Sequence, residues 1–207
     1  MSAVVVEASQ PGLAIDAVRR GGVVVLPTDT VYGVGCLATD ADAVSRVLAA
    51  KGRGRQMPPP VLVADAAQVR ALPVEIPATA GRLMEAFWPG GLTLILKLTS
   101  DLGWDLGDLR DTVAVRVPDL DVTRAILAET GPMAVTSANL HDQPPATDVH
   151  EAIAQLGDSV DLYVDGGPTP GPTASSIVDL SVSPAHLIRS GTLAIEELRA
   201  KAGVVIE

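Results

Sequence analysis

The chain has 207 residues, a formal net charge of -10 and 47% hydrophobic residues, enough for one sizeable core. Its acidity opposes a broad surface that follows nucleic-acid phosphates, and 2% aromatic residues leave few platforms for stacking bases. The single cysteine, Cys36, excludes an internal disulfide, and no apolar run approaches the ~20 residues of a membrane span. We therefore expect one domain over residues 1–207, in a soluble cytoplasmic protein that binds no membrane and little or no tRNA.

Hydrophobic periodicity in the first half of the chain alternates between strand and helix patterns. Short apolar runs predict strands, and apolar residues at helical spacing between caps and Gly or Pro predict helices. A helix that starts after Asp40 and ends before Gly52 places Lys51 at its C-terminal end. The predicted strands are residues 4–6, 23–26, 61–64 and 92–98. The other predicted helices are residues 11–20, 65–72 and 77–87.

The second half of the chain continues the same alternation. Gly-rich and Pro-rich composition predicts loops over residues 101–111 and 165–172. Because strands and helices interleave throughout, the class is α/β or α+β with a mixed sheet. The predicted strands are residues 112–117, 133–136, 162–164, 176–180 and 186–189. The predicted helices are residues 121–129, 147–156 and 195–202.

The strand over residues 112–117 carries the most informative pattern. Its three valines alternate onto one face, so Thr112 and Arg116 share the other face with Ala114. Two polar groups are thus aimed the same way from one rigid element. A solvated face has the same pattern, so alternation alone leaves both interpretations open.

A second feature joins the end of the buried strand 23–26 to the helix that follows it. The segment from Pro27 to Thr30 leaves hydroxyl and carboxylate side chains at a strand end, where α/β proteins place ligands. The helix then delivers Lys51 and Arg53 in an otherwise acidic protein, which indicates an anion site. The alternative to an anion site is that these cations only offset the negative, C-terminal end of the helix macrodipole.

Several familiar constellations are absent from the sequence. It has no phosphate-binding Gly-x-x-x-x-Gly-Lys-Ser/Thr motif, and the loose dinucleotide fingerprint at residues 33–38 opens no helix. Its three histidines lack zinc-site spacing, and Cys36 fits a small buried thiol. Donors spread over several loops would suit a polyanion such as a nucleoside triphosphate. The remaining candidates at strand ends and in loops are Thr30, Lys51, Arg53, Thr112, Arg116, Ser137, Asn139, Ser175, Ser176 and Arg189.

An ordered set of motifs extends over about residues 10–195. The motifs are Pro27-Thr28-Asp29-Thr30-Val31-Tyr32-Gly33, Lys51-Gly52-Arg53, Trp88-Pro89-Gly90-Gly91-Leu92-Thr93, Arg116-Val117-Pro118, Ser137-Ala138-Asn139, Asp165-Gly166-Gly167, Ser175-Ser176-Ile177-Val178-Asp179 and Arg189-Ser190-Gly191. In this order and spacing they resemble the YrdC-like family, the threonylcarbamoyl-AMP synthases. The resemblance implies a twisted open mixed β-sheet with flanking helices and a concave ligand-binding face.

The resemblance also implies an activity, in which L-threonine, bicarbonate and ATP, with Mg²⁺, give threonylcarbamoyl-adenylate and pyrophosphate. A separate transferase would then place the threonylcarbamoyl group on tRNA next to the anticodon. The metal ligands are left unassigned, and catalysis is expected mainly from positioning and electrostatics. The implied roles are Lys51 and Arg53 in catalysis, Lys51, Arg53, Thr112, Ser137, Asn139 and Arg189 on the nucleotide, and Thr30, Arg116 and Ser175 on threonine.

The sequence departs from the family pattern at Gly54, at Met57-Pro58-Pro59-Pro60, at Leu62 and Leu120 in place of His, at His141-Asp142 and at Ser175-Ser176. In the family these positions belong to the threonine pocket and to the loop near the triphosphate, so the departures bear on which amino acid is accepted. Two alternatives therefore stay open. One is a carbamoyl-adenylate-forming enzyme with another substrate, which a single cysteine disfavours because the related domains occur beside zinc-finger-like cysteines. The other is a double-stranded-RNA-binding module, which the net charge of -10 opposes.

Overall fold

In the computed structural model, which describes residues 3–108 and 111–207, the strands join into one mixed sheet with the order β1-β8-β2-β3-β7-β4-β6-β5-β9-β10. The strands are β1 (Val5–Glu7), β2 (Val24–Leu26), β3 (Gly33–Leu37), β4 (Val61–Leu62), β5 (Leu92–Lys97), β6 (Thr112–Arg116), β7 (Met133–Ser137), β8 (Leu162–Asp165), β9 (Ser176–Asp179) and β10 (His186–Arg189). The helices are α1 (Pro11–Arg19), α2 (Ala41–Ala50), α3 (Ala66–Arg70), α4 (Ala78–Phe87), α5 (Asp121–Thr130), α6 (Val149–Leu156) and α7 (Ile195–Ala202).

The sheet is mixed, with both parallel and antiparallel pairs of neighbours. The parallel pairs are β1–β8, β8–β2, β4–β6 and β5–β9. The remaining neighbours are antiparallel. The expected open mixed sheet with flanking helices is confirmed. No helix among the described residues has the length and apolar character that crossing a bilayer would require.

The predicted elements are present, with ends that differ by one or two residues. Asp40 caps α2 as expected, because its Oδ1 accepts a hydrogen bond from Ala43 N at 3.0 Å. A short 3-10 turn over Gly157–Ser159 was not predicted. Residues 101–108 of the predicted loop 101–111 carry no helix or strand, and residues 109 and 110 lie outside the described residues.

Within residues 3–108 and 111–207, β3 is the strand that periodicity does not predict, because two glycines interrupt its apolar pattern. Both glycines permit close pairing with β7. A Cβ at Gly33 would lie 2.6 Å from Val135 Cγ1, and one at Gly35 would lie 2.6 Å from the carbonyl oxygen of Ala134. The residues that resemble a dinucleotide fingerprint are therefore a central strand.

The two faces of the sheet are covered unequally. α2, α3, α4, α6 and α7 contribute to the core on one face. α1 and α5 pack on the other face, against side chains of β1, β2, β4, β7 and β8. No buried residue of this second core comes from β5, β6, β9 or β10 among the residues described. The sheet therefore keeps an open surface beside α1 and α5.

Candidate active site

A cleft of about 270 Å³ occupies this open surface. Side chains from β4, β5, β6, β7, β9 and β10 line it, together with the segment that follows β2. Concave sites of this kind are where proteins hold small molecules. The predicted site residues that line the cleft are Thr30, Arg53, Thr112, Arg116, Ser137, Ser175 and Arg189.

β6 presents Thr112, Ala114 and Arg116 to the cleft, as the alternation of strand 112–117 predicted. The valines between them, Val113 and Val115, are buried in the core under the sheet, and Val113 also reaches the lining of the cleft. The solvated-face interpretation of this strand is therefore wrong for Arg116, which is only 5% exposed.

Arg116 is held by three acceptors. Its Nη2 donates to Asp29 Oδ1 at 2.6 Å, its Nη1 donates to Thr30 Oγ1 at 3.0 Å, and its Nε donates to the Gly90 carbonyl at 3.0 Å. Burial lowers the pKa of Arg116 and the charge of Asp29 opposes that shift. The guanidinium is thus fixed in orientation by a carboxylate, a hydroxyl and a backbone carbonyl.

Asp29 is a site residue that the sequence analysis did not select. Its Oδ1 also accepts a hydrogen bond from Asp119 N at 3.0 Å, so it ties the loop after β2 to the loop after β6. The Thr-Asp-Thr run at the end of a buried strand was the available indication. Its pairing with Arg116 could be found only once the two strands were placed.

Ser175 and Arg189 form a second polar group on the far side of the cleft. Arg189 Nε donates to the Ser175 carbonyl at 2.9 Å, and its Nη2 donates to Ser175 Oγ at 3.0 Å. Thr93 Oγ1, on β5, lies 2.8 Å from the same hydroxyl. Burial lowers the pKa of Arg189, and the charges of Arg116 and Arg53 lower it further. Arg189 therefore lies close enough to Arg116 and to Arg53 to be repelled by both.

Arg53 reaches the cleft from the turn that follows α2. Gly52 supplies the left-handed backbone of this turn, with φ of 63°. Arg53 Nη1 donates to Thr136 Oγ1 on β7 at 3.1 Å, and Nε is buried with no hydrogen-bond partner among the described residues. Burial lowers the pKa of Arg53. A partly unsatisfied guanidinium at the edge of a cleft is suited to an incoming anion.

Lys51 and Asn139 do not line the cleft. Lys51 is 3% exposed, and its Nζ donates to Ser137 O at 2.5 Å, Asn139 O at 2.6 Å and Asn139 Oδ1 at 3.2 Å. Burial, and then the charge of Arg53, lower the pKa of Lys51 to about 8. Asn139 in turn donates through Nδ2 to Leu140 O at 2.7 Å and Gln143 O at 2.9 Å. The two residues lie behind the cleft and are bonded to each other.

The walls of the cleft are largely apolar. Leu106, Ile177 and Ile188 line it beside the loop 56–60, and Leu62 lies in the lining as well. Arg55 links the loop 53–60 to the loop that carries Leu106, through Asp105 at 2.6 Å. Among the other departures from the family pattern, residues 57–60 reach the lining, whereas Leu120 and His141-Asp142 do not.

Other candidate groups lie away from the cleft. Cys36 is fully buried, and burial followed by the nearby charge of Asp40 raises its pKa to about 12, so the thiol stays protonated. His141, His150 and His186 are exposed. Within residues 3–108 and 111–207 no group of three or more His, Cys, Asp or Glu side chains could hold a metal ion.

Comparison with known proteins identifies the family of this chain. The Sua5/YciO/YrdC family model, described as "Telomere recombination", matches residues 16–191. The chain belongs to the Sua5/YciO/YrdC family. The YrdC-like resemblance that the motifs gave is thereby confirmed.

Three relatives are informative about this family member. A Mycobacterium tuberculosis protein, provisionally named threonylcarbamoyl-AMP synthase, is 44% identical over 191 residues, which cover 92% of this chain and 88% of the relative. Threonylcarbamoyl-AMP synthase of Pyrococcus abyssi is 35% identical, with 93% of this chain and 57% of the relative covered. The crystal structure of P. abyssi Sua5 complexed with L-threonine superposes with a TM-score of 0.88 at 32% identity, covering all of this chain and 63% of that one. This chain thus spans most of the mycobacterial relative and about three fifths of the archaeal proteins.

Proposed function

We infer that this protein is a threonylcarbamoyl-AMP synthase, which converts L-threonine, bicarbonate and ATP into threonylcarbamoyl-adenylate, pyrophosphate and water. The observation that carries this inference is the convergence of Arg53, Arg116 and Arg189 with several hydroxyls in one cleft of an acidic protein. The names of the mycobacterial and archaeal relatives, and the L-threonine bound to P. abyssi Sua5, support it.

The nucleotide would occupy the side of the cleft between Arg53 and Arg189. Arg53 lines the cleft with one terminal nitrogen bonded to Thr136, and Arg189 is oriented by Ser175, so the remaining terminal N–H groups of both can donate to phosphate oxygens. Thr112 and Ser137 add hydroxyls along the same lining. The apolar wall that includes Leu106 and Ile188 suits a nucleobase face.

Threonine would bind beside Arg116. A guanidinium carries five N–H groups, and Asp29, Thr30 and Gly90 engage three of them, which leaves two for a ligand. One of the two lies on each terminal nitrogen, the arrangement that grips a carboxylate in a bidentate manner. The Ser175 hydroxyl, held by Arg189, is placed to bind another polar group of the same amino acid.

The chemistry then needs proximity and charge rather than a protein nucleophile. Threonine carbamate, formed from the threonine amine and bicarbonate with loss of water, would attack the α-phosphorus through an oxygen of its carbamate group, and the threonine carboxylate would stay with Arg116. The bond from the α-phosphorus to the bridging oxygen breaks, and pyrophosphate leaves with the electron pair. Arg53 and Arg189 would stabilise the charge that develops on the phosphate oxygens.

Magnesium would enter with ATP as part of the substrate. The described residues provide no carboxylate cage, and Asp29, the acidic group at the site, is engaged by Arg116. Mg²⁺ commonly keeps its waters and binds through substrate phosphates, so this donor set fits a metal held mainly by the triphosphate. The adenylate is a mixed anhydride, and a separate transferase that acts on tRNA in the cytoplasm would consume it.

The decisive assay is pyrophosphate release from ATP with magnesium and bicarbonate, with and without L-threonine. The variants are Arg53→Ala and Arg116→Lys, with Lys97→Met as a control on the exposed end of β5. We expect threonine-dependent release in the wild type and in Lys97→Met. Arg53→Ala should weaken the binding of ATP. Arg116→Lys keeps the positive charge but loses the bidentate geometry of the guanidinium, so it should raise the KM for threonine about 10-fold or more.

Two other outcomes would redirect the inference. ATP binding with no effect of threonine would favour a carbamoyl-adenylate enzyme for another substrate, with Leu62 in the lining as the first position to examine. Failure of the intact protein to bind ATP would overturn the enzymatic inference altogether.

A further inference from the structure

Lys51 has no donor left for a ligand. An ammonium carries three N–H groups, and Ser137 O, Asn139 O and Asn139 Oδ1 accept all of them. The side chain is almost fully buried and lies outside the lining of the cleft. A direct phosphate contact would require at least one of these buried carbonyl groups to lose its partner, which is costly.

The acceptors of Lys51 belong to the turn that carries Ser137 into the cleft. This turn is fixed on both sides, because Ala138 N donates to Tyr32 O at 2.8 Å and His141 N donates to the Lys51 carbonyl at 2.8 Å. Lys51 is thus bonded to residues 137–141 through both its backbone and its side chain. The end of α2 and the end of β7 are joined at this one residue.

We propose that Lys51 is a positioning residue, which acts on the nucleotide through the turn 137–139, while Arg53 is the cation that contacts phosphate. These different roles follow from the different surroundings of the two side chains, although the residues are only two positions apart. Lys51 donates inward to three carbonyl oxygens, whereas Arg53 lines the cleft and donates to the Thr136 hydroxyl through Nη1. The nucleotide part of this inference rests on the proposed function, and the effect on the turn does not.

Lys51 must be charged to hold the turn 137–139 through all three hydrogen bonds. A neutral amine has two N–H groups for three acceptors, so deprotonation would leave one carbonyl oxygen facing a lone pair. The titratable groups on the segments packed against it are Arg53 on its own turn and, at the surface, His141 and Asp142, whose Nε2 and Oδ1 lie 3.7 Å apart. Arg53 is therefore the charged group that the cleft and Lys51 share.

Hydrogen–deuterium exchange tests the effect on the turn without any ligand. In Lys51→Met we expect the amides of residues 138–141 to exchange about 10-fold faster or more, because their local opening costs less. Lys97→Met, which removes an exposed lysine on β5, should leave these amides unchanged. Unchanged exchange in Lys51→Met would overturn the proposal.

A double-mutant cycle on ATP affinity tests the route to the nucleotide. If Lys51 acts through the turn, then Lys51→Met and Ser137→Ala should each lower the affinity for ATP. The double variant should then bind ATP almost as well as the single variant with the lower affinity. Additive losses would mean that Lys51 contacts the nucleotide independently, which would overturn the proposal. If the wild type binds no ATP, the proposed function fails, and hydrogen exchange alone decides whether Lys51 orders the turn.

Discussion

The three arginines of the cleft differ in whether a carboxylate offsets their charge. Arg116 forms an ion pair with Asp29, with Nη2 and Oδ1 2.6 Å apart and both side chains largely buried. Neither Arg53 nor Arg189 forms an ion pair with a carboxylate among the described residues. Taking a charge out of water is costly unless a partner offsets it, so these two guanidinium groups gain most from an anionic ligand. Their burial makes physical sense in a protein whose substrate carries phosphates.

Proton uptake on nucleotide binding is expected from the same residues. Burial and Arg53 lower the pKa of Lys51 to about 8, so in the empty protein the ammonium is charged below that pH and neutral above it. Phosphates beside Arg53 would offset its repulsion and raise the pKa of Lys51. Binding of Mg·ATP near pH 8 should therefore take up a fraction of a proton.

Calorimetry in buffers of different ionisation enthalpy measures this uptake directly. Lys51→Met should bind Mg·ATP near pH 8 without the uptake, and the wild type should lose most of it about two pH units lower, where Lys51 is already charged. Equal uptake in the wild type and in Lys51→Met would show that another group supplies the titration.

Among the elements, β3 shows how close strand pairing depends on glycine. Gly35 pairs with Val135 across the antiparallel β3–β7 ladder, and a Cβ there would meet both Ala134 O and Val135 Cγ2 at 2.6 Å. Gly81 in α4 is the opposite case, because a Cβ there would meet nothing within 4 Å. The same substitution should therefore change stability in opposite directions at the two positions.

Gly35→Ala should lower the free energy of unfolding by about 1–3 kcal/mol, the usual cost of overpacking. Gly81→Ala should raise it by about 0.5–1 kcal/mol, because alanine is the better helix former. Urea denaturation of the two variants beside the wild type measures both values. A neutral Gly35→Ala would mean that β3 and β7 can separate without loss, and that the close pairing is not required.

Periodicity predicted most elements of this fold because most strands and helices bury a regular apolar face. It failed at β3, where the glycines needed for close pairing remove the apolar side chains that mark a strand. At the site, the alternation of β6 correctly placed Thr112 and Arg116 on one face. The pairing of Asp29 with Arg116, across 87 positions in sequence, could not be predicted because it depends on the order of strands in the sheet. The inward direction of Lys51 likewise depends on where β7 ends.

At the scale of the whole molecule, charge is distributed unevenly. The chain carries a net charge of -10, yet the cleft gathers Arg53, Arg116 and Arg189. Elsewhere the basic side chains often pair with carboxylates at the surface, as Arg46 does with Asp161 at 2.7 Å. A local positive potential in a concave, partly apolar site attracts a compact anion such as a nucleotide. An extended polyanion would meet the negative surface around it.

This distribution predicts that the protein does not bind double-stranded RNA appreciably. A duplex needs cations spread along several phosphates, and its binding weakens steeply with salt because counterions are released. We expect no anisotropy change with a fluorescein-labelled 20-base-pair RNA duplex at about 50 mM salt, where such binding is strongest. ATP affinity should fall only modestly between about 50 and 200 mM salt, since a few buried donors hold the ligand. Tight, salt-sensitive RNA binding that ATP does not displace would contradict the expectation, and would show that a surface outside the cleft makes this protein an RNA-binding module.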